Sequence, residues 1–199
     1  MGPFPDGVYR AQFPYYYRNP EGMPQEAALD YYLNSIKDVF EQCGPADSIA
    51  AIVVEPLQGE GGFIPAPIEW VKAVRKICDQ NGILLVADEV QTGFCRTGRM
   101  FATQYWEEAG VQPDILATAK SIAAALKTIE IMERDDLAGR SCEIGEKVSK
   151  RFNEWKEKYP VIGDVRGLGG MIGLEFVKDQ ESKEPYPEFS AAVIKGCAQ

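Results

Sequence analysis

The stretch LLVADEVQ (Leu84–Gln91) decides the fold. Its first four residues are apolar, the run is framed by Gly82 and Gly93, and it leads straight into Asp88 and Glu89. A short continuous apolar run between glycines reads as a buried strand. Continuous apolar strands belong to parallel sheets covered on both faces. The two carboxylates at its end raise a demand of their own. Buried without a partner, an ionised carboxylate costs several kcal/mol, so a partner is expected.

Working outward, Ile49 to Val54 (IAAIVV) reads as a strand ahead of it and Asp114 to Thr118 (DILAT) as a strand behind it. Between them lie two helices. Pro67 to Gln80 carries a proline in its first turn and Asn81-Gly82 at its end, and a second helix runs from roughly Arg99 to Ala109. Strand–helix–strand–helix–strand predicts an α/β domain built on a parallel sheet. Upstream, Leu29, Tyr32, Leu33, Ile36, Phe40 and Cys43 fall at helical spacing between residues 25 and 43, and Gly44-Pro45 ends that helix. Residues 1–25 hold Pro3, Pro5, Pro14, Pro20 and Pro24 with Tyr15-Tyr16-Tyr17, which predicts a packed surface segment without regular structure.

Beyond Lys120 the pattern changes. Ile122, Ala125, Leu126, Ile129 and Met132 mark an amphipathic helix with almost no connection to the strand before it. A charged helix, roughly Leu137 to Lys158, follows, then the glycine-punctuated hairpin VIGDVRGLGGMIGLEFV (161–177). A last helix from about Pro187 runs to Gln199 without a cap.

Composition narrows the function. The chain has 199 residues, 45% of them apolar, enough for one domain or one domain plus part of another. A net charge of −9 argues against nucleic acid and anionic membranes as partners. No apolar run approaches the ~20 residues of a membrane span, and no signal peptide is expected. Cys43, Cys78, Cys95, Cys142 and Cys197 are scattered without a C-x-x-C pair, which predicts no disulfide framework, no zinc site and a reducing cytoplasm. The count of histidines is zero, which removes Ser-His-Asp and Cys-His catalysis.

In a parallel α/β sheet ligands bind at the carboxyl ends of the strands. Those ends carry Glu55, Asp88 and Lys120, at spacings of 33 and 32 residues, each about one β-α unit. The plain alternative is an ion pair or solvated loop charges. A nucleotide-hydrolysing site would use Asp88 for magnesium, but it needs a glycine-rich loop ending in Gly-Lys, and no Gly-Lys dipeptide occurs. Pyridoxal 5'-phosphate chemistry needs a lysine for a Schiff base and an acid or arginine beside the pyridine nitrogen. Lys120 and Asp88 supply both. The pocket must first lower the lysine from its ordinary pKa of about 10.4.

Four blocks carry a resemblance. VVEPLQGEGGF (53–63), LLVADEVQTGFCRTG (84–98), DILATAKSIA (114–123) and DVRGLGGMIGLEF (164–176) resemble consecutive signature blocks of the class III aminotransferases. With the lead-in FPYYYR (13–18), the wording is most similar to the 4-aminobutyrate type. The resemblance implies part of the fold type I large domain over residues 1–136 and part of a C-terminal α+β domain over 137–199. It implies a cytoplasmic homodimer that passes an amino group from an ω-amino acid to 2-oxoglutarate by a ping-pong route. Acetylornithine- or ornithine-type donors stay open.

Residue by residue, the resemblance gives Lys120 the Schiff base and the proton shuttle, and Asp88 the pyridinium nitrogen. Val90 would pack on a ring face and Gln91 would bond the ring hydroxyl. Arg166 would take the carboxylate of 2-oxoglutarate or glutamate in a bidentate contact. Glu60 would neutralise Arg166 when the donor lacks an α-carboxylate, and Glu55 would line the pocket. No metal is implied. Each has a plain counterpart: Val90 as core, Glu60 and Arg166 as surface charges, Gly167–Gly170 as a tight turn. Cys95 stands where the family has glycine, and with no histidine to activate it a catalytic role is not expected.

The chain also departs from the family. The preceding part with its phosphate-binding turn and ring-stacking aromatic has no counterpart, and relatives continue past Gln199. Ser121-Ile122-Ala123 runs directly into Ala124-Ala125-Leu126 where the family has a longer connection, which predicts an internal deletion near 122–125. Charge-assisted hydrogen bonds to a phosphate contribute about 1.5–3 kcal/mol each. Losing two or three removes on the order of 5 kcal/mol, three to four decades in affinity. A catalytically inactive chain, acting at most as a subunit-interaction partner, is therefore the second expectation.

Overall fold

The computed structural model describes residues 6–118 and 122–197, with the side chains of 122–125 outside that description. In chain order the elements are α1 (Ala28–Gln42), β1 (Ala51–Val54), β2 (Leu57–Gln58), β3 (Ile64–Pro65), α2 (Ile68–Asn81), β4 (Leu84–Asp88), α3 (Gln104–Glu108), β5 (Ile115–Ala117), α4 (Ile122–Arg134), α5 (Leu137–Lys158), β6 (Ile162–Leu168), β7 (Met171–Phe176) and α6 (Pro187–Cys197). The central sheet has the order β1-β4-β5 with both pairings parallel. The fold is α/β, as the alternating pattern around Leu84 predicts.

Register explains the core. Val54 pairs with Ala87 and Ile52 with Leu85, and one face of the sheet packs Val54, Leu85 and Ala87 into a buried cluster. Helix α1 brings Tyr32 and Ile36 to that cluster, and α2 brings Trp70, Val71, Val74 and Cys78. Each fully buried aliphatic side chain there contributes roughly 1.5–3 kcal/mol relative to exposure. Helix α2 starts after Pro67, which is extended, and ends at Gly82 in the left-handed region, whose amide donates to the Cys78 carbonyl. That is the C-terminal cap for which glycine is preferred.

Among its described residues the N-terminal segment is irregular apart from a 3-10 turn at Tyr16–Arg18 and another, Gln25–Ala27, that leads into α1, yet it is tied down. Phe13 packs on Trp70 with ring centroids 5.6 Å apart, and Tyr32 donates its hydroxyl proton to the Tyr15 carbonyl at 3.2 Å. The β6–β7 hairpin pairs Arg166 with Gly173 and Asp164 with Glu175. Helix α5 lies close against it at Gly145, where a Cβ would come within 2.0 Å of the Gly169 carbonyl oxygen.

Three features differ from the sequence expectation. The helix predicted from Arg99 shortens to Gln104–Glu108, because the Ala102 and Thr103 amides are committed to a side chain, Glu89, instead of to a helical turn. A small antiparallel pair, Leu57↔Pro65 and Gln58↔Ile64, brackets the glycine-rich turn after β1. The sheet strands, though apolar, are buried on one face of β1 and β4 only: Val54, Leu85 and Ala87 are buried, while Val53 and Leu84 on the other face, and Ile115 and Leu116 of β5, are exposed.

Candidate active site

Strands β1 and β4 end together. Since Val54 pairs with Ala87, Glu55 stands level with Asp88 one residue further on, and Asp88 pairs with Ala117 of β5. The carboxyl ends of all three strands thus meet at Glu55, Asp88 and Thr118. Lys120 lies outside the described residues.

Asp88 is half-used. Its Oδ1 accepts the Val90 amide at 3.0 Å, and its other oxygen has no partner among the described residues. The short loop this bond holds leaves the Val90 side chain 57% exposed. Glu89 turns the opposite way and is fully buried. Its carboxylate accepts Thr92 Oγ1 at 2.5 Å, the Ala102 amide at 3.1 Å and the Thr103 amide at 2.7 Å. Three donors satisfy the charge, so the partner demanded by the strand end belongs first to Glu89. Sequence reasoning centred on Asp88 and missed it; the threonines at Thr92 and Thr103 were the available signal.

Glu55 turns its carboxylate back onto its own chain, where Oε2 accepts the Gly59 amide at 2.9 Å. Gly59 must be glycine here: a Cβ would fall 1.3 Å from the Gln91 amide oxygen. The turn closes by Gly62 and Phe63 amides donating to the Gly59 carbonyl, at 3.0 and 3.3 Å. Its far side meets the hairpin, as Arg166 Nε donates to the Gly62 carbonyl at 2.8 Å. Glu55, Gln91, the turn that carries Glu60, and Arg166 therefore form one run of contacts beside Asp88.

Arg166 is held on every side. Nη1 meets Asp164 Oδ2 at 3.1 Å, Nη2 meets Glu175 Oε2 at 3.0 Å, and the guanidinium carbon lies 4.8 Å from the centre of the Tyr15 ring. Glu60 is exposed and makes no ion pair among the described residues. Glu175 also accepts Tyr15 Oη and Arg18 Nε, each at 2.7 Å. Burial pushes the Glu175 carboxyl up, but the Tyr15 and Arg18 hydrogen bonds and the Arg18 and Arg166 charges outweigh it, so it sits below the usual range. Burial and the bond to Glu175 push the Tyr15 phenol far up. Tyr15, Arg18, Asp164 and Glu175 were not foreseen as neighbours of Arg166. The alternation of Asp164 and Arg166 on one strand was the legible part; the reach of FPYYYR across the hairpin is tertiary.

Among the described residues no cluster of His, Cys, Asp or Glu is arranged to hold a metal, and no helix is long and apolar enough to cross a membrane.

Comparison with known proteins fits this geometry. The profile of the family described as Aminotransferase class-III matches residues 1–126 and 121–197. A probable 4-aminobutyrate aminotransferase of Bacillus subtilis is 37% identical over 228 residues, covering 97% of this chain and 52% of its own length. That alignment is longer than the 199 residues available here, so the relative carries residues that this chain skips. The 5-aminovalerate aminotransferase DavT of Pseudomonas putida is 40% identical, covering 88% of this chain and 47% of itself. An amine transaminase from an uncultivated Pseudomonas species, solved in its PLP-bound form, superposes with a TM-score of 0.77 at 32% identity, over 87% of this chain and 48% of its own. The chain spans about half the length of the curated relatives it matches. Matched by one family profile along almost its whole length, and folded as the solved members are, this chain belongs to the class III aminotransferases.

Proposed function

We propose that this chain carries part of a pyridoxal 5'-phosphate site that moves an amino group from an ω-amino acid, such as 4-aminobutyrate, to 2-oxoglutarate. The observation that carries it is Asp88, placed at the end of the central strand with one carboxylate oxygen fixed by Val90 and the other without a partner among the described residues. When bound, the cofactor supplies an electron sink that makes the donor C–H acidic. Asp88 Oδ2 would accept the hydrogen bond of the protonated ring nitrogen, and the exposed Val90 side chain would cover a ring face. Gln91, wedged against Gly59, would present its amide to the ring hydroxyl. Lys120 would provide the amine that holds the cofactor and would move the proton at the donor carbon. Glu55 fixes the Gly59 turn and lines the pocket.

Arg166 reads a substrate carboxylate, the task for which a guanidinium fork is suited. Glu60 rides on the turn whose Gly62 carbonyl bonds Arg166, which sets it within one loop of the charge it would neutralise. The reading includes a cytoplasmic homodimer. It also includes a unit boundary near residue 136, with α5 and the β6–β7 hairpin forming the second unit.

A second reading rests on the comparisons themselves. The two profile matches overlap at residues 121–126, and the Bacillus subtilis alignment exceeds the chain in length, which supports an internal deletion beside Lys120. On that reading the chain is inactive and acts at most by pairing with another subunit. Incubation with pyridoxal phosphate, borohydride reduction and peptide mapping separate the two. Modification confined to Lys120 supports the transaminase reading and justifies assays with 4-aminobutyrate, 5-aminovalerate and acetylornithine against 2-oxoglutarate. Modification scattered over surface lysines supports the inactive one.

A further inference from the structure

The turn Gly59–Phe63 runs between Gln91 and the β6–β7 hairpin, and it is held at both ends. At its start Glu55 Oε2 accepts the Gly59 amide at 2.9 Å, and the Gln91 amide oxygen stands where a Cβ on Gly59 would be. At its far end the Gly62 carbonyl accepts Arg166 Nε at 2.8 Å. The same carbonyl oxygen lies 3.0 Å from the position of a Cβ on Gly173, the β7 residue that pairs with Arg166 of β6. A side chain at Gly173 would press the turn away from the hairpin.

The turn does not fix its own shape. Phe63 is in the left-handed region at φ 56°, which a bulky residue keeps only where its surroundings impose it. The hairpin imposes it. A Cβ on Gly173 would also meet the Phe63 Cβ at 3.5 Å, so turn and strand are in close contact there. Arg166 does not follow the turn, because Asp164, Glu175 and the Tyr15 ring fix its guanidinium. The hairpin therefore sets the place of Gly62. The Gly62 and Phe63 amides, both donating to the Gly59 carbonyl, carry that place to Gly59 and so to the side chain lying on it.

We infer that Arg166 and Gly173 are positioning residues for Gln91, acting through Gly62 and Gly59. Gly173 has no side chain and no place in the proposed site, so it acts only through the turn. The inference adds to the carboxylate-reading role of Arg166, and its consequence rests on the reading that Gln91 bonds the ring hydroxyl of pyridoxal phosphate. A hydrogen bond weakens as its alignment is lost, so a turn moved by a few tenths of an ångström lowers cofactor affinity without abolishing it.

The test begins with the full chain free of cofactor. Gly173→Ala adds one methyl group beneath the Gly62 carbonyl, and Arg166→Lys keeps the charge but removes the Nε–H donor. Magnetic resonance of the isotope-labelled chain reads the Gln91 side-chain amide, and hydrogen exchange reads the Gly62 and Phe63 amides. Gly173→Ala is expected to shift the Gln91 side-chain signals and to speed exchange at Gly62 and Phe63 by ~3-fold or more, with Leu85 and Ala87 unchanged. Arg166→Lys gives the same pattern. Should it fail to fold, Gly173→Ala decides alone, since it removes no hydrogen-bonding group. Faster exchange in β6 and β7 with unmoved Gln91 signals overturns the inference, because a role confined to hairpin packing predicts that result.

Titration with pyridoxal phosphate separates the coupling from the reading it rests on. An affinity lower by roughly 3- to 10-fold in Gly173→Ala, the loss of one hydrogen bond, supports both. Equal affinities beside shifted Gln91 signals overturn the link to the cofactor. A wild-type chain that binds none overturns the cofactor reading, and the Gln91 signals still judge the coupling.

Discussion

Arg166 and Glu175 face each other across the β6–β7 hairpin, Nη2 to Oε2 at 3.0 Å, with side-chain exposures of 12% and 17%. Glu175 also serves Arg18 and Tyr15, so one carboxylate joins the hairpin to the N-terminal segment about 160 residues away in sequence. Glu175→Gln leaves two guanidinium groups short of a counter-charge in a half-buried setting. A loss of about 2–3 kcal/mol is predicted, below the full cost of breaking a dry pair because Arg18 keeps some water. Urea unfolding measures it, and a loss under about 0.5 kcal/mol would mean that the cluster is only surface decoration.

The same carboxylate shapes the acid limb of stability. Its pKa is lowered in the folded chain, so its contribution is complete above the unfolded carboxylate value, near 4.3, and is lost as pH falls through the lower folded value. The wild-type chain should lose stability on acidification from about pH 4.5 downward more steeply than Glu175→Gln. Parallel acid limbs for the two proteins would show that the hydrogen bonds do not select the ionised form.

Glu89→Gln tests the buried anchor. The carboxylate accepts from Thr92, Ala102 and Thr103, whereas a carboxamide offers one acceptor oxygen and brings two protons into a site lined by donors. Leaving an amide orphaned costs about 1–3 kcal/mol, and more when the lost partner was charged. Hydrogen exchange should speed up across residues 92–103 while β1 stays protected. Uniform exchange in both proteins would show that the loop is held by its aromatic contact, Phe94 on Phe101, instead.

Cysteine reactivity follows burial. The Cys78 thiol, fully buried on the core side of α2, is pushed up to about 11 by that burial, and burial raises Cys95 as well. Cys43 and Cys197 are exposed. At pH 8 a maleimide should label Cys43 and Cys197 rapidly and reach Cys78 and Cys95 only on unfolding, since the thiolate is the reactive form. Fast labelling of Cys95 in the folded chain would contradict the placement of its loop.

How much of this was legible depends on the range of the interaction that fixes each residue. The strand at Leu84 and the parallel sheet follow from local apolar runs and their spacing, so Glu55 and Asp88 were read at strand ends, and the order β1-β4-β5 makes those ends neighbours. Helix α5 matches its expected range, Leu137 to Lys158, because periodicity over 22 residues dominates its ends. The Arg99 helix failed because a side chain 13 and 14 residues upstream, Glu89, claims the amides that a helix would need. The Arg166 cluster was hidden for the same reason: Tyr15 and Arg18 reach it only through the fold. Periodicity sees neither kind of bond.

Asp88→Asn separates stability from function at the candidate site. The asparagine side-chain oxygen can still accept the Val90 amide, so the loop keeps its shape. The substitution removes a half-buried negative charge whose second oxygen has no partner among the described residues, which should leave the cofactor-free chain as stable as before or up to about 1 kcal/mol more stable. A neutral amide no longer favours a protonated ring nitrogen, and pyridoxal phosphate affinity should fall by about tenfold or more, near 1.4 kcal/mol. Fluorescence titration with the cofactor and a thermal melt of the free chain give the two numbers. Weaker binding with an unchanged or raised melt assigns the charge of Asp88 to the cofactor, because a charge kept for the fold would lower the melt when removed. Unchanged binding together with a lowered melt would place Asp88 among the structural carboxylates with Glu89.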